Sequence, residues 1–280
     1  MNKTGCVVVK DFKRPARELV EKFAGVAVAN LDDCMNRISA VHEDNSYNDK
    51  TNNPVNKSCL LGTAFTVKVP EGDNLMFHVA MDLAKPGDVI VIDAGGDTRR
   101  SIFGELMVTY CRKRGINGIV VDGSIRDAGA MEDLTDFAVY ARGVTPDGPY
   151  KNGPGEVNTP VVCGGRTVYP GDIVLGDEDG VIFIRPSEAE ELLKKVNALH
   201  ENELRIIETI EKEGTYIRPW VDPFSTGFVL FFASAQAGPQ ITLLKCAAAA
   251  THTKKAFRQE KALNFKFAAA QFHTGKRTRQ

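Results

Sequence analysis

A carboxylate, Glu105, follows Phe103-Gly104, and 21 residues later Arg126 stands beside a second carboxylate, Asp127. Arginine offers a planar fork suited to carboxylates and enolates, and aspartate is a hard oxygen ligand suited to Mg²⁺ or Mn²⁺. A helix entered through Gly104 would present the unpaired amides of Glu105, Leu106 and Met107, an end that attracts a substrate carboxylate. The same residues have plainer readings. Leu106 and Tyr110 also suit an ordinary packed helix, and adjacent Arg-Asp pairs are common as surface salt bridges worth little.

The elements around these residues read as an α/β unit. A strand over 62–69 leads to a helix over 74–84, closed by Lys85-Pro86-Gly87-Asp88, and then to a near-continuous apolar strand, Val89 to Asp93, of the kind buried on both faces. Gly95-Gly96 breaks it, a helix runs to Arg114 before Gly115, and a second buried strand runs from Gly118 to Val121, ending at Asp122-Gly123. That order predicts a βαβ unit with parallel strands, which puts Arg126 and Asp127 just past a strand's C-terminal end, where open α/β sheets hold ligands. His78, in the 74–84 helix, either faces the same cleft or is a hydrogen-bonded structural residue.

Upstream, Leu19, Val20, Phe23 and Val26 predict a helix over 17–28, with a second short one starting at Asn30 to Asp33. Residues 42–58 read as a polar loop. Downstream of Asp127 the chain is β-rich, with strands over 137–141, 161–163, 167–168, 173–175 and 181–184. The phrases PGDVIVID (86–93) and PGDIVLGD (170–177) echo one another as Pro-Gly turns launching buried strands. Pro186-Ser187 opens a long helix ending near Gly214, with Ala189, Leu192, Leu193, Val196, Leu199, Leu204 and Ile207 on its apolar side.

Composition fits a soluble globular protein: 280 residues, 43% hydrophobic and 25% charged. The formal charge of −1 is uneven, because residues 245–280 hold nine Lys and Arg against the single Glu260. The body is therefore acidic and the tail basic. Six cysteines without a CxxC pair point to a reducing, cytoplasmic setting. An N-terminal apolar run of only three residues predicts no signal peptide, and no apolar stretch is long enough to span a bilayer. The turn AGGDTRRSIFG lacks G-x-G-x-x-G, which argues against a dinucleotide site, and the five histidines lack HExxH or zinc-like spacing. Gly123-Ser124-Ile125 is no nucleophile elbow.

From about Ala16 to Asp222 the chain resembles the RraA-like family, which includes 4-hydroxy-4-methyl-2-oxoglutarate/4-carboxy-4-hydroxy-2-oxoadipate aldolases and the regulator of ribonuclease activity A. The resemblance rests on VPEGDNLMFHVAMDLAKPGDVIVIDAGG, FGELM, RGINGIVVDGSIRD, ARGVTPDGPYKNGPGEVNTPVVCGGRTVYPGDIVLGDEDGVIF and PWVD. It implies an α/β fold of the swivelling β/β/α type with a long C-terminal helix over residues 1–226, followed by a basic tail over 227–280. It also implies a trimer or hexamer with active sites between subunits, and a divalent cation, Mg²⁺ or Mn²⁺.

In such an aldolase Asp127 holds the metal directly, Glu105 holds a metal-bound water, and Arg126 binds the pyruvyl group. The amides beyond Gly104, at Leu106 and Met107, hold its carboxylate. A further acid comes from a neighbouring subunit's last helix, matched here by Glu203, with Glu201 as the alternative. The implied reaction is a class II-type retro-aldol cleavage of a 4-hydroxy-2-oxo acid bearing a second carboxylate, giving pyruvate and an oxo acid, with accompanying oxaloacetate decarboxylation. The competing expectation is a non-enzymatic regulator that binds a ribonuclease or another protein. The basic tail is the one feature suited to nucleic acid.

Overall fold

The structure, a computed structural model, describes residues 4–41, 53–56 and 58–221. The 42–58 loop and the basic tail lie wholly or mostly outside the described residues. In chain order the elements are β1 (Cys6–Val8), α1 (Arg17–Glu21), α2 (Val28–Cys34), β2 (Ala40–Val41), β3 (Asn53–Pro54), β4 (Leu60–Lys68) and α3 (Leu75–Leu83). Next come β5 (Asp88–Asp93), β6 (Ser101–Phe103), α4 (Glu105–Lys113), β7 (Gly118–Ile125), β8 (Ala138–Val144) and β9 (Gly155–Val157). The chain continues through β10 (Val161–Cys163), β11 (Arg166–Val168), β12 (Ile173–Asp177), β13 (Gly180–Ile184) and α5 (Ala189–Glu213). No described helix is long and apolar enough to cross a membrane.

One sheet organises the fold, in the order β2-β13-β12-β4-β5-β7-β8-β3, with no closed barrel. Its centre, β4-β5-β7-β8, is parallel, as the βαβ reading predicts, whereas β12, β13 and β2 extend it antiparallel. Alternate residues of β5 enter different cores. Ile90 and Ile92 pack with Phe77, Val108 and Cys111 under α3 and α4, while Val89 and Val91 pack with Val161, Cys163 and Val168 of the β10–β11 hairpin. Both faces are therefore dry, which is why the run reads as uninterrupted apolar sequence rather than as an alternation. A third core joins α1, α2 and the first half of α5 to β12 and β13 through Leu31, Ile182 and Leu192.

The two Pro-Gly-Asp turns are built alike. Asp88 accepts from the Lys85 amide at 2.8 Å and takes a two-point hydrogen bond from Arg14, whose guanidinium lies over the Phe12 ring. Asp172 accepts from the Tyr169 amide at 2.8 Å and pairs with Arg185, which lies over the Tyr169 ring. Each buried carboxylate thus closes its own turn and is neutralised by a stacked arginine, which removes the penalty of an unpaired buried charge. Gly87 and Gly171 supply the positive φ, 87° and 93°, that these turns require.

The structure corrects several sequence readings. The helix expected over 17–28 stops at Glu21, and its successor is α2. The segment between Gly96 and Gly104 contains the extra strand β6, and β7 runs on to Ile125 through a register shift between Val121 and Ser124. Asp122 is accordingly inside a strand, where it pairs with Arg142 and accepts from the Gly164 amide. On the apolar side of α5, Ala189, Leu192, Leu193 and Val196 are buried, whereas Leu204, Ile207 and Ile210 farther along are exposed in the single chain.

Candidate active site

The register of one strand pair brings the site together. β6 lies parallel to the end of β7, with Ser101 opposite Ser124 and Phe103 opposite Ile125. Parallel strands end on the same side of a sheet, so Gly104-Glu105 and Arg126-Asp127 emerge next to each other. The Arg126 amide bonds back to the Phe103 carbonyl at 2.9 Å. The 20 residues between Glu105 and Arg126 are thus the rest of α4 and its return strand.

Gly104 is the N-cap of α4, with φ −150° and ψ −165°, an extended conformation open to any residue. Its requirement is spatial. A Cβ there would lie 2.3 Å from Asp127 Oδ2, 2.9 Å from Arg126 Cγ and 3.2 Å from Arg126 Nε. The Asp127 carboxylate fills that space and accepts a hydrogen bond from the Glu105 amide at 3.2 Å, while Arg126 Nε stands 3.6 Å from Oδ2. Asp127 itself is left-handed, at φ 58° and ψ 33°. Asp and Asn tolerate that conformation better than other side chains, and such residues gather at functional sites. Both Arg126 and Asp127 remain about half exposed.

These groups line a cleft of about 370 Å³ with Gly104, Leu106, Met107, Asn74 and His78. Of the helix-end amides, that of Glu105 is taken by Asp127 and that of Met107 by the Gly104 carbonyl at 3.1 Å. The Leu106 amide is left as the donor most available to an anion. His78 does face the cleft: its Nε2 is buried without a partner, and burial, reinforced by the charge of Lys151, lowers its pKa. Two polar lining residues escaped the sequence reading. Asn74 caps α3 and donates from Nδ2 to the Ile102 carbonyl at 2.8 Å, and Lys151 reaches the cleft from a Pro/Gly-rich loop.

A family model described as Aldolase/RraA, RraA-like, matches residues 28–183. The chain belongs to the RraA-like family. A relative from Halalkalibacterium halodurans, provisionally named 4-hydroxy-4-methyl-2-oxoglutarate aldolase, is 46% identical over 136 residues, 49% of this chain and 64% of its own length. The chain therefore spans just under two thirds of that relative. A second provisional 4-hydroxy-4-methyl-2-oxoglutarate aldolase, from Ectopseudomonas mendocina, is 37% identical over 43% of this chain and 74% of its own length. The crystal structure of Streptomyces coelicolor RraAS2, described as an unusual member of the RNase ES inhibitor RraA protein family, superposes with a TM-score of 0.56 at 26% identity. It covers 71% of this chain and 100% of that one.

The donor set of this RraA-like cleft suits a small hard cation. Glu105 and Asp127 offer carboxylate oxygens, and Mg²⁺ is usually held by one or two carboxylates with the rest of its shell from water and substrate. Among the described residues no group of three or more His, Cys, Asp or Glu could hold a metal alone. Any third protein acid must therefore come from elsewhere. Glu203 does not line this cleft in its own chain; its Oε2 accepts from Asn30 Nδ2 of α2 at 2.6 Å.

Proposed function

We propose that the chain is a divalent-metal-dependent lyase that cleaves a 4-hydroxy-2-oxo acid, of the 4-hydroxy-4-methyl-2-oxoglutarate type, into pyruvate and a second oxo acid. The observation that carries the reading is the convergence of Glu105, Arg126 and Asp127 at the start of α4 in one cleft. The names of the two relatives support the same class of reaction.

Mg²⁺ or Mn²⁺ held by Asp127, with Glu105 beside it, would supply Lewis-acid stabilisation of the negative charge that develops on the substrate. The residues do the rest. The Leu106 amide and the dipole of α4 orient the substrate's C1 carboxylate. Arg126 donates to the C2 oxygen, and its hydrogen bond strengthens as that oxygen gains charge, which selectively stabilises the transition state. As the C3–C4 bond breaks, its electron pair moves toward the C2 oxygen while the C4 hydroxyl loses its proton and becomes a carbonyl. The Glu105 carboxylate takes that proton through one water. Protonation at C3 then gives pyruvate. Loss of CO₂ from oxaloacetate passes through the same enolate, so both activities belong to one site. In an oligomer of the trimeric or hexameric kind, Glu203, or Glu201 one turn-half earlier on α5, would complete the site from a neighbouring subunit.

The test is pyruvate release from 4-hydroxy-4-methyl-2-oxoglutarate and from oxaloacetate, with Mg²⁺ and with EDTA, on the wild type and Arg126→Ala. Metal-dependent release that falls about a hundredfold or more in the variant is expected. Release no faster than with metal alone refutes the reading. That outcome would favour the second one, a binding protein of the ribonuclease-regulator kind, to which the likeness to RraAS2 points.

A further inference from the structure

Helix α5 carries a charged residue where its apolar stripe predicts a hydrophobic one. Ala189, Leu192, Leu193 and Val196 are buried in the core shared with α2, and Leu199 follows them at helical spacing. The next position on that side, four residues on, is Glu203. Val196 is the last buried residue of the helix, and Leu204, Ile207 and Ile210 are exposed. From Glu203 the helix runs on to Glu213, about 15 Å farther. Glu203 therefore stands where α5 parts from its own body.

What holds it there is α2. Asn30 Nδ2 donates to Glu203 Oε2 at 2.6 Å, a short, charge-assisted bond. Both residues are half-buried, whereas Glu201 is exposed. Of the two acids on this stretch, Glu203 is the one that a neighbouring element holds.

α2 is itself a fixed platform. Val28 and Leu31 lie in the core that joins it to β12, β13 and α5. The Val28 amide donates to Asp177 Oδ2 at 2.8 Å, and Asp32 Oδ1 accepts from the Ser39 and Ala40 amides, both at 2.8 Å.

Packing alone would be served as well by a leucine at 203. A carboxylate held at one oxygen keeps the other for a cation or its bound water, and its side-chain torsions are fixed before the cation arrives. Partners that orient a ligand carboxylate in this way weigh on metal affinity nearly as much as the ligands do.

We infer that Asn30 is a positioning residue, which holds one oxygen of Glu203 so that the other is presented to the metal site of a neighbouring subunit. The inference rests on the place given to Glu203 in the proposed reaction.

The experiment is a double-mutant cycle on Mn²⁺ affinity, measured by calorimetry on the assembled protein, with wild type, Asn30→Leu, Glu203→Ala and the double variant. Leucine fills about the space of asparagine and offers no donor. Asn30→Leu is expected to weaken Mn²⁺ binding about ten- to a hundredfold. In the Glu203→Ala background the same change should alter affinity less than about twofold, because a residue that acts through another then has nothing to act on. A purely structural Asn30 would lower the unfolding temperature without that coupling. If Asn30→Leu fails to assemble, Asn30→Asp, which keeps the shape and replaces the donor with an acceptor, takes its place in the cycle with the same expectations.

An Asn30 variant within about twofold of wild-type affinity, or single losses that simply add in the double variant, overturns the inference. Pyruvate release from 4-hydroxy-4-methyl-2-oxoglutarate, measured on the same preparations, separates the two claims. Coupled Mn²⁺ losses without wild-type turnover would sustain the role of Asn30 and remove the lyase reading. Turnover with uncoupled losses would do the reverse, and a wild type that binds no Mn²⁺ overturns both.

Discussion

Replacing Gly104 with alanine tests whether the position of Asp127 is set by the missing side chain. The new Cβ would lie 2.3 Å from Asp127 Oδ2, whereas ordinary contact begins at 3.4 Å, so the oxygen must retreat by about 1 Å. Retreat also breaks its 3.2 Å bond from the Glu105 amide. Losing a hydrogen bond to a charged group at this half-exposed position costs about 1.5 kcal/mol. Because the backbone here is extended, alanine puts no strain on the backbone dihedrals and stiffens the unfolded chain, which returns about 0.4–1 kcal/mol. Stability should therefore change by about 1 kcal/mol or less, a few degrees in Tm.

Activity should respond much more, because a 1 Å misplacement of a reacting group costs about a hundredfold. The assay is thermal unfolding alongside metal-dependent pyruvate release, with Gly129→Ala as the control. Gly129 sits two residues past Asp127 with nothing within 4 Å of its Cβ position. A Gly104→Ala variant within threefold of wild-type turnover and of its Mn²⁺ requirement would refute the reasoning.

Two other outcomes follow from the titrating groups. Burial, helped by the charge of Lys151, holds His78 below its ordinary value of 6.5 in the fold, so the unfolded chain takes up that proton first. His78 therefore lowers stability progressively as pH falls below 6.5, until the folded form is protonated too. Denaturant unfolding of His78→Gln between pH 7 and 5 should show a shallower loss than the wild type; an identical slope refutes this. Among the thiols, burial pushes Cys111 up to about 12, and Cys163 is fully buried, while Cys59 is exposed. Iodoacetamide followed by mass spectrometry should label Cys59 in the folded protein and spare Cys111 and Cys163.

Much of this arrangement was legible in the sequence because the elements that make it are long or sharply punctuated. β5, β7 and α4 announce themselves through an unbroken apolar run, a Pro-Gly-Asp turn and a glycine stop, and the Glu105 to Arg126 spacing then follows from one helix and one strand. β6 and β9 are three residues each, too short for any period to show, and their pairing is decided by neighbours distant in the chain. Lys151 was invisible for a related reason. Nothing local marks it, and only the meeting of Asp73 with residues 150–153, about 80 positions away, turns its loop toward the cleft. The exposure of Leu204, Ile207 and Ile210 has the same character, since helical spacing says which residues share a face and not whether one chain is enough to cover it.

The left-handed backbone of Asp127 makes the site unusually easy to disarm. At φ 58° asparagine fits as well as aspartate, and glycine better than either. The proposed metal ligand is therefore a position where one substitution could erase the charge and leave the backbone, the sheet and every core intact. Arg126, by contrast, packs its Cγ where the Gly104 side chain would be, so its loss opens a gap beside the helix end. A scaffold built this way has a short evolutionary route from a catalyst to a protein that only binds.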